Sequence, residues 1–428
     1  MTDSRSSPVK TPEIMFQGRP PGMPDPIMSR ISPPDPDTGL VLLNFGPSHP
    51  STHGTLRLVI ELQGERIRKA WAEIGYLHTG FEKLGESLKY DQFIPLSDRT
   101  QYLSSISNNI GYAKAVEDLA GIEITERCSY ARVILAEMSR IADHLLCTGM
   151  QAVDIGAFTP FLWAFARRED LYDLWETVCG ARLTTSITRI GGMMRDLPDE
   201  FPQNVLAFCD KLERETMKDI DELLTRNRIW MDRTQGVGVL TKEDALDWCV
   251  SGPVLRASGV DRDARKDKPY FVYDRFDFDV PIGEHGDVYD RYLVRLEEVR
   301  QSVRIIRQAI RDLPGGPIDA YDNKSVLPPK EEVFNTIEGM IHHFELTMPG
   351  YGIRTTPGAE VYSCTESPVG ELGFYLAADG SGNPYRVRVR PPCFVNYAPI
   401  EHLIEGAMIS DVVAIIGSLN VIVGELDR

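Results

Sequence analysis

Two imidazoles stand in one short stretch rich in Gly and Pro, Gly46-Pro47-Ser48-His49-Pro50-Ser51-Thr52-His53-Gly54. Histidine is the side chain whose ordinary pKa, about 6.5, lets it change charge near neutral pH, so a pair in a loop between strands can give or take protons where a ligand arrives. Loops held by a rigid sheet are also where binding groups tend to sit. Two other readings stay open on these residues alone. As a metal site the stretch supplies two ligands and no third lies nearby; as plain structure, both rings are hydrogen-bonded turn residues. The cysteines do not favour metal: Cys128, Cys147, Cys179, Cys209, Cys249, Cys364 and Cys393 are single, with no Cys-x-x-Cys pair and no Cys/His cluster at ligand spacing. They read as reduced thiols of the core.

The elements that would position such a loop are legible around it. Val41-Leu42-Leu43-Asn44-Phe45 reads as a strand running into the Gly46-Pro47 turn. Beyond the loop, Leu56, Leu58, Ile60 and Leu62 alternate with Arg57, Val59, Glu61 and Gln63, the period-two pattern of a half-buried strand, and Gly64-Glu65 offers a turn before Ile67 to Trp71. Together these predict a small N-terminal sheet. From about Gln101 to Leu224 the period changes. Residues 131–146 carry apolar side chains at three- and four-residue spacing, which predicts long helices. A further helix is expected from near Asp287 to the stop at Pro314-Gly315, with Leu296, Val299, Val303, Ile306, Ile310 and Leu313 on one stripe and alternating Arg and Glu opposite. Gly373 to Asp379 and Tyr385 to Arg390 flank a Gly380-Ser-Gly-Asn-Pro384 turn and predict a hairpin with basic residues at alternate positions. No repeat of solenoid or propeller length is visible. The expected class is α+β: a central bundle of long helices with small N-terminal and C-terminal β-sheets.

Composition bounds the function. The 428 residues are 42% hydrophobic and 25% charged, enough for a substantial core. The formal charge of -17 repels phosphate, which argues against nucleic acid as a main partner and suits basic protein surfaces. Apolar runs such as Val412 to Ile416 fall far short of the roughly 20 residues of a membrane span. The N-terminus lacks the basic start and apolar stretch of a signal peptide, so the chain is expected to stay in the cytoplasm. Residues 1–38 hold Pro12, Pro20, Pro21, Pro24, Pro26, Pro33, Pro34 and Pro36 with few aliphatics, the composition of an extended or disordered arm. The expected division is therefore that arm, followed by one domain over 39–428.

Seven motifs in order carry a resemblance. GPSHPSTHG, GYLHTGFEKL (75–84), DIGAFTPFLWAFARRE (154–169), RIGG (189–192), SGPVLRASG (251–259), GELGFY (370–375) and the final GELDR resemble the D subunit, the 49 kDa-type quinone-site subunit, of bacterial NADH:quinone oxidoreductase, respiratory complex I. The likeness runs from about Val41 to Arg428. It implies a proton-translocating oxidoreductase whose site this chain helps to form, with no redox cofactor of its own. FMN and the iron–sulfur clusters sit in partner subunits, and quinone is the substrate. It further implies three partners: the subunit with the terminal tetranuclear cluster, the 30 kDa-type C subunit and the membrane-embedded H subunit. The place implied is peripheral, on the cytoplasmic side of the cell membrane. By motif position, Tyr102 in Asp98-Arg99-Thr100-Gln101-Tyr102 and His53 meet the quinone headgroup, and Asp154 pairs with the histidine. A phenol and an imidazolium both donate hydrogen bonds and can release a proton, and an adjacent carboxylate favours the charged imidazolium. His49 is left a structural or supporting role.

The family shares its fold with the large subunits of nickel–iron hydrogenases, which hold metal through two Cys-x-x-Cys pairs. Here Gly80 to Leu84 and Ser418 to Val423 stand near those places with no cysteine, so the soft thiolates a nickel site requires are missing. Thr79 and Thr184 replace an arginine and a histidine that many members carry, which removes a cation and a titratable ring from the neighbourhood of the cluster. The rival reading is a scaffold that only seats the cluster-bearing partner in a related ferredoxin- or deazaflavin-linked reductase.

Overall fold

The alternation over residues 56–62 becomes the middle of a three-stranded antiparallel sheet in the computed structural model, which describes residues 39–320 and 325–428. Strand β1 (Leu40–Phe45) pairs with β2 (Arg57–Gln63), and β2 with β3 (Arg66–Glu73). The arm expected over residues 1–38 lies outside the described residues. Leu58, Ile60 and Leu62 enter the core as the alternation requires. The other face corrects the expectation of a half-buried strand. Val59 is buried against Leu42 and Trp71, and the buried Arg57 places its guanidinium on Glu73 (2.6 Å) and Asn44 (3.1 Å). A cation with a carboxylate and an amide for partners tolerates exclusion from water, so period-two polarity does not guarantee a wet face.

The middle of the chain is helical, as its period predicts. After α1 (Phe81–Ser87) and α2 (Ile94–Thr100) come α3 (Ser105–Ala120), α4 (Glu126–Asp154) and α5 (Phe158–Cys179). Helix α4, 29 residues long, runs through the central core. The Thr125 side chain accepts from the Cys128 N–H at its start, and most of its length is buried, including Arg132, Glu137, Arg140, Asp143 and His144. The RIGG segment forms a two-stranded ladder, β4 (Thr188–Arg189) with β5 (Gly192–Met193).

Helix α6 (Val288–Arg311) starts where expected, with Asp287 capping the Asp290 N–H at 2.8 Å, and ends before Pro314. Leu296, Val299, Val303 and Ile306 pack into the central core shared with α4. The polar face of α6 divides in two. Arg300, Arg304 and Arg307 reach surface carboxylates, whereas Arg291, Arg295 and Glu298 are buried, a distinction the Arg/Glu alternation does not carry.

Helices α7 (Lys330–Asn335) and α8 (Ile337–Thr347) precede a second three-stranded sheet of β6 (Glu360–Glu366), β7 (Glu371–Ala378) and β8 (Pro384–Arg390). The hairpin read from sequence is β7 and β8, and β6 adds a strand beyond it. The chain closes with α9 (Ile409–Leu419) and α10 (Val423–Asp427), both of which pack into the core of the N-terminal sheet. The class is α+β, a helical centre between small antiparallel sheets. Among the described residues no helix is long and apolar enough to cross a membrane. One detail of the cysteine reading is corrected: Cys128, Cys147, Cys209 and Cys393 are buried, but Cys249 is exposed, because it follows a short surface helix rather than entering the core.

Candidate functional site

The Gly-Pro-rich loop between β1 and β2 folds on its own small side chains. Gly46 has φ +88, and a Cβ there would stand 1.9 Å from the Leu56 carbonyl oxygen, so only glycine allows the two strand ends to close. Pro50–Thr52 makes one 3₁₀ turn. His49 starts that turn: its Nδ1 accepts from the Ser51 N–H (3.2 Å), and its ring lies against Phe45 with centroids 4.3 Å apart. The buried Thr52 hydroxyl bonds the carbonyls of His49 (2.7 Å) and Gly54 (2.8 Å) and locks the turn. His49 thus has local work to do. His53 ends the turn in the left-handed region (φ 54), which directs its ring away from the loop and into the protein.

That ring meets Asp154: His53 Nε2 lies 2.6 Å from Asp154 Oδ2, with the carboxylate almost buried and the imidazole slightly exposed. The approach is off the direction of a well-formed hydrogen bond, and neither atom has another hydrogen-bond partner among the described residues. Asp154 is the last residue of α4. Carbonyl groups give a helix C-terminus partial negative charge, and a carboxylate there is disfavoured by roughly 0.3–1 kcal/mol. An imidazolium offsets both charges. Asp154 does not cap α5, whose first-turn cap position is Ala157 without a side-chain bond.

Tyr102 lies just past α2, half-buried against the core of the N-terminal sheet and α9. Burial, assisted by the neighbouring Cys393, holds its phenol above the ordinary tyrosine pKa, so it stays protonated and donates. Its position is set by the residue before it. Gln101 donates to Asp143 Oδ2 (2.7 Å) and accepts from the N–H groups of Leu103 and Ser104 (2.9 and 3.2 Å). Asn420, at the end of α9 with φ 53, donates to the other oxygen of Asp143 at 2.6 Å. Asp143 therefore ties α2, α4 and α9 together behind Tyr102.

The C-terminal segment joins the two halves of the site. A Cβ on Gly417 of α9 would sit 3.2 Å from Asp154 Oδ2 and 3.6 Å from His53 Cε1, and one on Gly424 would sit 3.5 Å from Tyr102 Cε1. Val423 packs at Gly54, next to His53. His53 and Asp154 thus lie against the last turn of α9, and Tyr102 against the first turn of α10. The same segment grips the GYLHTGFEKL motif: Asp427 accepts from the N–H groups of Gly75 (2.8 Å) and Leu77 (2.7 Å), its carbonyl meets His78 Nδ1 (2.7 Å), and the Arg428 carbonyl takes the N–H groups of Thr79 and Gly80. A cleft of about 310 Å³ opens beside this clamp, lined by His78, Glu82, Arg386, Arg388 and Arg428 among others. Thr184 lies in the stretch that returns to α2, where Ser186 donates to the buried Asp98 carboxyl. Among the described residues no three of His, Cys, Asp and Glu converge as a ligand set for a metal.

The structure brings His53 and Asp154 into contact and sets Tyr102 on the same C-terminal segment. Gln101, Asp143, Asn420 and Gly417 were not read from the sequence. Their only signal there is that Gln101 adjoins Tyr102, and that Asn420 lies in, and Gly417 adjoins, the stretch 418–423 that stands where a hydrogenase would carry a cysteine pair.

Comparison with known proteins gives the same direction. The family described as respiratory-chain NADH dehydrogenase, 49 Kd subunit, matches residues 154–428. The chain is 50% identical over 391 residues to the D subunit of NADH-quinone oxidoreductase from Geotalea uraniireducens, covering 91% of this chain and 99% of the relative. Against the corresponding D subunit of Myxococcus xanthus it is 51% identical, covering 91% and 93%. It is also 50% identical to the C/D subunit of NADH-quinone oxidoreductase from Bdellovibrio bacteriovorus, over 90% of this chain and 68% of that longer protein.

Proposed function

Since the chain belongs to the family of the 49 kDa subunit of respiratory-chain NADH dehydrogenase and is a component of an NADH-quinone oxidoreductase, we propose that it forms the protein side of the quinone-reduction site, with His53 and Tyr102 as proton donors and Asp154 as the carboxylate that holds the histidine charged. The observation that carries this reading is the 2.6 Å approach of His53 to Asp154 at the end of α4, with Tyr102 on the same C-terminal segment.

Reducing a quinone to a quinol consumes two electrons and two protons. The electrons come from the terminal iron–sulfur cluster of a neighbouring subunit, and this chain supplies protons and position. Tyr102 Oη and His53 Nδ1, the ring nitrogen that does not face Asp154, each donate a hydrogen bond to a quinone oxygen. As negative charge builds on those oxygens, the imidazolium and the phenol release their protons to them. A phenol whose pKa is raised by burial holds its proton until that charge develops, which delays transfer until the electrons arrive. Loss of the proton from His53 leaves Asp154 unpaired at a helix C-terminus. That change of local charge biases the loop and α4 toward a second arrangement, the step by which reduction couples to proton translocation in the membrane subunits.

The chain lies on the cytoplasmic face of the cell membrane and binds the cluster-carrying subunit, the 30 kDa-type C subunit and the membrane-embedded H subunit. The combined C/D subunit named in Bdellovibrio supports the first of the two lettered associations.

The test is inhibitor-sensitive NADH:quinone reduction in membranes carrying Tyr102→Phe, read beside NADH:ferricyanide activity, which needs only the flavin end. Quinone reduction is expected to fall by about 100-fold, the scale of one general-acid contribution, with ferricyanide activity and assembly kept. Normal quinone reduction would remove Tyr102 from the site and favour a scaffold that only seats the cluster-bearing partner.

A further inference from the structure

Helices α7 and α8 carry an apolar face that nothing among the described residues covers. Of their residues only Gly339 and Leu346 are buried. Leu346 is the anchor, packed in the core of the C-terminal sheet, and the Lys89 ammonium holds the end of α8 by the carbonyls of Leu346 (3.3 Å) and Met348. Gly339 lets α8 fold back on α7, since a Cβ there would stand 2.6 Å from the Glu332 carbonyl. At 100° per residue, Ile337, Met340, Ile341, Phe344 and Met348 fall on one stripe, opposite the anchored side, and Phe334 of α7 extends it. All six are exposed; Phe334 is 80% and Ile337 75% accessible. A helix this short is marginal in water by its own hydrogen bonds, and a contiguous apolar patch of several hundred Å² on a folded protein marks an interaction surface.

The border of the stripe selects the occupant. Glu338 and Glu345, seven residues apart and therefore on one line of α8, run along its edge, and Glu331 and Glu332 stand on α7. Lys330 is the only Lys or Arg in the two helices. Helices that lie on a bilayer show the opposite border, with Lys and Arg toward the anionic headgroups. A second copy of this chain would set like carboxylates against each other, on a molecule whose formal charge is already -17. We propose that this face docks a different polypeptide of the oxidoreductase, one that presents an apolar surface edged by Lys or Arg. The inference rests on the reading of the chain as a subunit of that assembly, but it uses none of the quinone-site residues.

The experiment places a photoreactive phenylalanine analogue at Ile337, and separately at Phe334, in the complex held in its native membranes, with the exposed Arg228, on a helix outside this pair, as control. After irradiation the complex is purified and the adducts are sequenced. The expected result is an adduct from both patch positions, and none from Arg228, on a single other polypeptide, within a segment that contains Lys or Arg. Adding Glu338→Lys with Glu345→Lys should lower that adduct at least about tenfold, because like-charge juxtaposition across an interface costs several kcal/mol; absence of that polypeptide from the purified complex counts the same. Adducts on lipid or on a second copy of this chain, no adduct at either position, or a yield unmoved by charge reversal would each overturn the proposal. Quinone reduction in Tyr102→Phe membranes is read independently, so failure of the docking surface leaves the quinone site standing, and failure of the quinone site leaves the adduct to be explained.

Discussion

Asp154 is the residue on which the proposed chemistry turns, because its charge has one close partner and sits where the helix disfavours it. Asp154→Asn keeps the shape and removes the charge. It should lower NADH:quinone reduction about 10- to 100-fold, leave ferricyanide reduction unchanged, and leave the amount of assembled complex unchanged; equal losses in both activities would mean that the substitution had damaged assembly instead. A second carboxyl works differently. Glu425 is fully buried, accepts from the Cys393 N–H at 3.2 Å, and has its other oxygen without a hydrogen-bond partner. Burial, with Asp143 adding to it, raises its pKa from 4.5 to about 7. In the folded state it is therefore protonated over a range where the unfolded chain ionises. Its presence costs nothing below pH 4.5, and lowers stability progressively as pH rises toward 7, by about 3 kcal/mol in all. Urea unfolding of the Glu425→Gln chain should show that slope flattened between those two pH values; an unchanged slope would mean that Glu425 ionises normally. What the sequence offered at this scale was residue type. Two histidines in a Gly-Pro loop are visible as chemistry, but Asp154 lies about a hundred positions from His53, and spacing says nothing about their meeting. Gln101, Asp143 and Asn420 become a clasp only when three elements converge, and amides and carboxylates are too common in sequence to announce it.

Helix α4 shows what periodicity conveys about an element and what it omits. Its three- and four-residue apolar spacing gives the helix, and the stripe and stop of α6 give that partner with its ends, since local hydrogen bonding and capping are written in adjacent residues. The same spacing does not tell which of the charged residues between the apolar ones are buried. Glu137 of α4 is fully buried and accepts from Ser302 (2.6 Å), Tyr273 (2.7 Å), Arg140 (3.1 Å) and Arg265 (3.2 Å). Although burial alone would raise its pKa, the guanidinium groups of Arg140 and Arg265 outweigh burial and hold its carboxyl down at about 2. Two turns further along, His144 meets Glu298 of α6 at 2.7 Å, and Glu298 in turn holds Arg256, which reaches Glu366 at the end of β6. A charge pattern becomes a buried network only when the neighbouring elements bring the complementary groups, which no local window contains. Glu137→Ala would leave two guanidinium groups buried with less than their full complement of charge. It should destabilise the protein by about 3–5 kcal/mol, the scale of a broken buried ion pair, read as a fall in the urea midpoint at constant slope. A loss below about 1 kcal/mol would show that water reaches the network and relieves it.

At the scale of the molecule, the motifs that are scattered in sequence converge on the C-terminal segment. Asp427 and Arg428 hold the backbone of residues 75–80, Gly417 backs the His53–Asp154 pair, and Gly424 lies against Tyr102. This convergence explains why ordered motifs spread along the chain could identify a family whose site no single motif describes. It also sets an asymmetry between the two ends of the described chain. The Arg428 carbonyl accepts from both Thr79 and Gly80, and the Arg428 guanidinium lies 4.6 Å over the Phe394 ring, so a polypeptide continued after Arg428 must leave from the middle of the clamp. Gly39 and Leu40, at the other end, are exposed and half-exposed, and Leu40 belongs to an outer strand of its sheet. A folded domain joined ahead of residue 1 should therefore leave assembly and quinone reduction within about twofold of the parent, whereas the same domain joined after Arg428 should pull Asp427 from its three partners. Each lost hydrogen bond to a charged group is worth about 1.5–3 kcal/mol. The expected readout is loss of quinone reduction with ferricyanide activity retained wherever the complex still assembles. Equal tolerance at both ends would mean that the clamp holds without its last residue in place, and that the Asp143 clasp suffices to position Tyr102 and the 46–54 loop to position His53.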